Sequence, residues 1–475
     1  MKRRQFLTLA ASTAGAALLP QCASKRAVET LPQYFTSTDG LLDVTLDARY
    51  GAVNLANQRP FLLSYNNQVP GPILEAHPGD TVRIRLINHL TAPTNLHYHG
   101  LHIPPVEKGD NPFLEIPPGE TFTYEFTLPE NHPAGTFWYH PHKHGLVAEQ
   151  VFGGLSGLFI VRSDLDQIPE IQAAQEAFLV LKDFEIDASR KIAPPPPIFQ
   201  MWGREGQLIT VNGQVNPNFS IPTDGLLRLR LLNASASRFY RLKLDEHPLH
   251  LIATGGGALA EPVELSELLL SPGERAEILV SGEREPGRYR LLNLPYDRGV
   301  TEMMNGMIER GMMEPRVDSA PQTLATFSYG DRVDPLPLPK QLIPVEPLPK
   351  PTQVRQFTLN HGIDHQTSAA FLINYKGFDP QRVDTSVPID SIEDWEIINA
   401  ASMNHPFHLH VHPFQVISRN GKSEPYRAWR DTVSIAGYET VRIRIHFKDF
   451  VGKTVYHCHI LDHEDKGMMG ILNVV

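Results

Sequence analysis

Near its C-terminus the chain reads Tyr456-His457-Cys458-His459-Ile460-Leu461-Asp462-His463-Glu464-Asp465-Lys466-Gly467-Met468. The residues before it, Val451 to Tyr456, read as the end of a β-strand. Side chains two apart on a strand share a face, so His457 and His459 turn one way and Cys458 the other. A thiolate with an imidazole and a thioether, here Cys458, His463 and Met468, is the donor set of a mononuclear copper site that passes single electrons, the Met as a weak axial ligand. The two histidines on the opposite face then require a second metal centre, joined to the first through the Cys458 backbone.

Three further histidine clusters supply donors: His97-Tyr98-His99-Gly100, then Trp138-Tyr139-His140-Pro141-His142, then His405-Pro406-Phe407-His408-Leu409-His410. Parity places His408 and His410 on one face and His405 opposite, so His405 can join Cys458, His463 and Met468. The remaining His97, His99, His140, His142, His408, His410, His457 and His459 can bind three more coppers, as two, three and three donors.

These four clusters resemble the copper-binding motifs of the multicopper oxidases, the family of laccases, copper-efflux oxidases and ceruloplasmin-like ferroxidases. The likeness spans essentially the whole mature chain. It implies four coppers per chain: type 1 copper on His405, Cys458, His463 and Met468; type 2 copper on His97 and His408; and a type 3 pair on His99, His140, His142, His410, His457 and His459. The implied activity couples one-electron oxidation of Cu(I) or phenolic substrates at the type 1 copper to four-electron reduction of O₂ to water at the trinuclear cluster. Glu464 resembles the acid that relays protons to the cluster in related enzymes. Asp110 resembles the acid near the type 2 copper, although its spacing from His99 is shifted by two. His102, His144 and His412 match no ligand position and are expected to hydrogen-bond near the site or to lie at the surface; His247 and His250 are assigned no metal.

The electron donor is read from the methionines. Met303, Met304, Met307, Met312 and Met313 crowd one short segment, five of the ten methionines in the chain. They are expected either to pack as a short helix or to form a thioether surface that captures Cu(I). Met403, two residues before His405, matches a methionine of the cuprous site in copper-efflux oxidases. The acidic partner expected two residues earlier is Ala401 here, which weakens that match.

Composition bounds the rest. A chain of 475 residues suggests about three domains. The net charge of −10, with no basic block, argues against a nucleic-acid or anionic-membrane partner. The only cysteines are Cys22 and Cys458, so no disulfide is expected in the mature chain. Arg3-Arg4 with Phe6-Leu7, followed by an apolar run to Leu19 too short to span a bilayer, resembles a twin-arginine export signal. Residues 1–30 are therefore read as a signal, with a periplasmic or extracytoplasmic destination and a monomer expected; Gln21 before Cys22 is a poor match to a lipidation site.

Short apolar runs between Gly/Pro turns predict an all-β chain in three blocks at 41–163, 177–329 and 354–475, with a Pro-rich linker at 330–353, and the family resemblance implies that each block is a cupredoxin-like Greek-key β-sandwich. Arg162 to Glu176 reads as a polar linker. The second block repeats motifs of the first without its metals: Val211-Asn212-Gly213, Leu227–Asn233 and Ser271–Arg275 echo Val69–Asn88 and Pro117–Glu120. Other classes fit less well. A copper nitrite reductase would lack counterparts of His459 and His410. A copper-less cell-division relative would have substituted ligand positions, and none is substituted here. A copper-storage protein would take up metal without consuming O₂.

Overall fold

The computed structural model describes residues 32–301 and 320–475. The export signal, Cys22 and the run Met303–Met313 lie outside the described residues. Six β-sheets pair into three sandwiches, each around its own apolar cluster, as the sequence leads one to expect. The helices with described bounds run only five to seven residues.

Alternation drives the pairing. In the strand Leu41–Ala52 the side chains of Leu42, Val44, Leu46 and Ala48 are buried while their neighbours face out. It runs parallel to Thr81–His89, whose Val82, Ile84 and Leu86 point into the same core. Thr440–Phe447 repeats this in the third sandwich with Val441, Ile443, Ile445 and Phe447. The second sandwich departs from it: every residue of Leu226–Asn233 is buried. Leu227, Leu229 and Leu231 fill its core, whereas Arg228 and Arg230 face the first sandwich and pair with Asp166, Glu176 and Glu277. The expected polar linker between these sandwiches is therefore packed. Its 3₁₀ turn Asp164–Gln167 brings Asp166, and the strand Gln175–Phe184 that follows brings Glu176, onto buried guanidinium groups that Glu277 also neutralises.

The internal repeat is visible atom by atom. Asn88, Asn233 and Asn399 each lie at or next to the end of a central strand, each donate a side-chain amide to two or three backbone carbonyls, and each accept a backbone N–H two residues on. The backbone N–H groups of the three donate to Glu120, Glu274 and Glu439. One buried amide thus closes the same loop in each sandwich.

Two pairings place the histidine clusters. In the first sandwich His97–His99 lies antiparallel to Gly135–His140, with His97 opposite His140. In the third, His405–Leu409 lies antiparallel to Gly452–Cys458, with His408 opposite His457 and Phe407 opposite Cys458. The histidines of these two strand pairs meet across the inter-sandwich seam. The Pro-rich segment at 334–350 carries no strand and straps the second sandwich to the third: the Leu342 N–H donates to Ala260 and the Leu348 N–H to Gln415.

Candidate metal centres

The sharing of faces expected around Cys458 is what the chain adopts. The Cys458 thiol turns into the third sandwich, with Sγ 3.4 Å from His405 Nδ1 and 3.9 Å from His463 Nδ1. The two Nδ1 atoms lie 3.4 Å apart. Met468 is buried in the same core, and its carbonyl accepts the Cys458 N–H. Burial pushes the Cys458 thiol well up, so the thiolate requires a cation beside it. Burial likewise pulls His405 and His463 well down, leaving neutral imidazoles with a lone pair to give. The outer nitrogens are engaged: His463 Nε2 donates to the Met201 carbonyl (3.1 Å), and His405 Nε2 lies 3.1 Å from His361 Nε2. Phe371 stacks on His463 at 3.9 Å.

On the other side of the strand, His457 and His459 turn toward the first sandwich. With His97, His99, His140, His142, His408 and His410 they form one buried cluster, none more than 1% exposed. His142 Nε2 and His410 Nε2 each lie 3.1 Å from His457 Nε2, and His97 Nε2 lies 3.3 Å from His408 Nε2. His97 stacks on His410 and His99 on His408, both at 3.7 Å. Burial first, and neighbouring imidazoles second, hold His99, His140, His142 and His408 far below the usual histidine range.

These donors fit a metal. Neutral nitrogens facing each other at about 3 Å repel unless a proton or a cation lies between them. His99 Nδ1, His140 Nε2 and both nitrogens of His459 are buried with no hydrogen-bond partner, a cost that coordination removes. Triads of ligand atoms converge at His97/His99/His140, His97/His408/His410, His142/His410/His457 and His405/Cys458/His463. His99, His408 and Asp431 converge too, but both carboxylate oxygens of Asp431 are taken by Arg275, and one by Thr432 as well.

Second partners fix which nitrogen faces inward. Asp110 accepts from His97 Nδ1 (2.7 Å) and from the Tyr98 N–H (3.0 Å), and its other oxygen lies 3.1 Å from His410 Nδ1. His140 Nδ1 donates to the Pro141 carbonyl and His408 Nδ1 to the Asp431 carbonyl. Each of these leaves Nε2 for the cluster. Glu464 is fully buried, with its oxygens 3.3 Å from His142 Nε2 and 3.1 Å from His457 Nδ1. Neither contact is aligned as a hydrogen bond, so the carboxyl is close to the cluster but not tied to it. Asp465 caps the backbone N–H groups of Gly145, Val147 and Ala148, and burial beside Glu464 pushes it up to about 7.

Other residues singled out in the sequence are placed as follows. Met403 is fully buried, with its carbonyl held by Asn399. His102 bridges the Val411 carbonyl and Asp449, and His412 is buried beside it. His144 packs on Phe378. His247 contacts the Tyr329 hydroxyl, far in sequence from any motif. Three residues carry more than the sequence reading gave them. His361 sits alone between Asn360 and Gly362, and no spacing ties it to His405, 44 residues away. Arg275 ends the quoted run Ser271–Arg275, and for Asp431 the available signal was an acid directly before a threonine in the last block.

Three family models, each described as multicopper oxidase, match residues 47–166, 185–314 and 348–475. The chain is 32% identical over 420 residues to the multicopper oxidase mco of Staphylococcus aureus, covering 87% of this chain and 83% of that one. It is 30% identical to the cell division protein FtsP of Xenorhabdus nematophila, over 86% of this chain and 84% of that one. A solved multicopper oxidase from Campylobacter jejuni, titled a metallo-oxidase, superposes with a TM-score of 0.81 at 31% identity, covering 93% of this chain and 96% of that one.

Proposed function

Since the chain belongs to the multicopper oxidase family, we propose that it is an oxidase that passes electrons from a small one-electron reductant, Cu(I) or a phenol, to O₂. Four reductants and four protons convert one O₂ to two waters. His405, Cys458, His463 and Met468 would hold one copper, and the eight clustered histidines three. Bound there, copper supplies a soft one-electron relay at the thiolate and a store of electrons at the imidazoles, so that O₂ is not released half-reduced.

One observation carries the reading: three consecutive residues serve two donor sets. His457 and His459 face the imidazole cluster and Cys458 faces His405 and His463. The link between the sets is a few covalent bonds of backbone.

The chain's own groups do the remaining work. Asp110 and the Asp431 carbonyl hold the inward tautomers of His97 and His408. Glu464, buried against His142 and His457, would carry protons to the seam. A cleft of about 620 Å³, lined by Lys143, His144, Phe378 and Lys453, reaches His142 from the surface and gives solvent a way in. Met403, and the five methionines outside the described residues, would offer soft contacts to a cuprous donor. The N-terminal twin arginines support export; no described helix is long and apolar enough to cross a membrane.

The test is O₂ uptake by copper-loaded protein with Cu(I) and with a diphenol. Cys458→Ser should abolish donor oxidation and the blue colour; blue absorbance that persists would refute the mononuclear assignment. The similarity to a cell division protein favours a second reading, a copper-free family member, which an unmodified chain taking up no copper would establish.

A further inference from the structure

We infer that Arg275, in the sandwich that contributes none of the candidate copper donors, is a positioning residue for the eight-histidine cluster and acts through Asp431. The inference rests on the copper assignment above. Arg275 is buried, and each of its five N–H groups finds an acceptor. Nε donates to the Thr136 carbonyl (3.0 Å). Nη1 donates to the Gly273 carbonyl (3.0 Å) and Asp431 Oδ1 (2.7 Å), and Nη2 to the Gly255 carbonyl (2.8 Å) and Asp431 Oδ2 (2.5 Å). Thr136 belongs to the first sandwich, Gly255 and Gly273 to the second, and Asp431 to the third.

Asp431 then fixes two imidazoles in opposite senses. Its Oδ1 lies 2.9 Å from His99 Nε2, and its backbone carbonyl lies 2.8 Å from His408 Nδ1. A carboxylate gripped by arginine and a carbonyl can only accept, so the proton sits on His99 Nε2 and on His408 Nδ1. The lone pairs are left on His99 Nδ1, which is buried without a partner, and on His408 Nε2, which faces His97 Nε2 at 3.3 Å. His99 is thereby the reverse of the Nε2-inward histidines around it, and Asp431 is the group that reverses it. Thr432 Oγ1, within 3.1 Å of both imidazoles and 2.8 Å from Asp431 Oδ1, completes the set.

The backbone is shaped to let the clamp close. Gly100, next to His99, has φ +91°, and a Cβ there would stand 2.3 Å from Arg275 Nη2 and 2.7 Å from Asp431 Oδ2. A Cβ on Gly273 (φ +82°) would stand 2.8 Å from the His459 ring. The second sandwich thus presses its guanidinium against one cluster histidine's partner and its loop against another cluster histidine.

The experiment uses the full chain loaded with copper, reading total copper per chain, blue absorbance of the mononuclear centre and the type 2 electron paramagnetic resonance signal. Asp431→Asn can present an amide N–H to His99 and so favour the wrong tautomer. It should weaken copper at the cluster by about 10–100-fold, as loss of a ligand's hydrogen-bond partner does elsewhere, and leave the blue absorbance per chain intact. Arg275→Lys keeps the charge but loses the fork and should fall between Asp431→Asn and the unmodified chain. The double variant Arg275→Met/Asp431→Asn leaves no unpaired buried charge; if it regains full cluster copper, Arg275 merely balances charge and the inference fails. Full copper with an unaltered type 2 signal in Asp431→Asn overturns it as well. So does loss of blue absorbance in step with cluster copper, which would mark a fold-stabilising pair. An unmodified chain with a blue centre but no cluster copper would instead sink the copper assignment, and this inference with it.

Discussion

His361 Nε2 lies 3.1 Å from His405 Nε2, so the outer edge of one candidate type 1 ligand is covered by a second imidazole. That second ring packs edge-on against Phe371 and is only partly buried, whereas His405 is fully buried. With Nδ1 given to a metal, His405 Nε2 must carry the proton and donate to His361. His361→Phe removes the acceptor and leaves a donor facing a ring. A net loss of about 1 kcal/mol predicts a roughly fivefold fall in kcat/KM for a one-electron donor, with total copper unchanged. Steady-state O₂ uptake and a copper assay on one preparation check both halves.

Glu464→Gln tests proton delivery. The amide is nearly isosteric and keeps the packing beside His142 and His457, but it cannot carry a proton. A positioned acid contributes about 100-fold or more, so kcat at saturating donor should drop on that scale while blue absorbance persists. An unchanged kcat across the pH range would remove Glu464 from the proton path.

Lys182 predicts an alkaline gain in stability. It is fully buried, Nζ donates to the Ala234 carbonyl, and burial pulls its ammonium from 10.5 to about 7. The unfolded chain therefore binds this proton more tightly than the folded one. The group's contribution to stability rises with pH between about 7 and 10.5, and the burial penalty is complete below about 7. Lys182→Met should raise the unfolding temperature at pH 6 by about 2–4 °C and leave it nearly unchanged at pH 10. Calorimetry at the two pH values shows whether the gain disappears.

Acid should unfold the metal-free chain early. Burial lowers His132 from 6.5 to about 4 and His412 from 6.5 to about 3. The unfolded state takes up these protons first, so stability held above pH 6.5 is lost as pH falls through that value toward 4 and 3. The urea midpoint of the metal-free protein should fall steeply between pH 7 and 5. His412→Phe should flatten that slope, and an equally steep slope in the variant would count against the linkage.

The parts of the site that could be read in the sequence are those fixed by local periodicity. The alternation His457/Cys458/His459, and His405 against His408 and His410, depends only on strand geometry, and the folded chain shows the same division of faces. The three sandwiches were legible for a related reason: runs such as Leu42/Val44/Leu46 and Val441/Ile443/Ile445 alternate with a period of two. What could not be read is set by long-range docking. His361 meets His405 across two strands of different sheets, and Arg275 meets Asp431 across 156 residues and two sandwiches. The segment Arg162–Glu176 read as a polar linker because two partners of its carboxylates, Arg228 and Arg230, come from a strand more than fifty residues away.

The five-way grip of Arg275 has a bearing on how the molecule matures. His405, Cys458, His463 and Met468 all belong to a single sandwich, so their pocket exists as soon as that module has folded. The eight-histidine pocket exists only once two modules have docked and the third has locked them with one guanidinium. Metal uptake should therefore proceed in two stages, a blue colour appearing first and dioxygen consumption only afterwards, and the delay between them would time the docking of the modules.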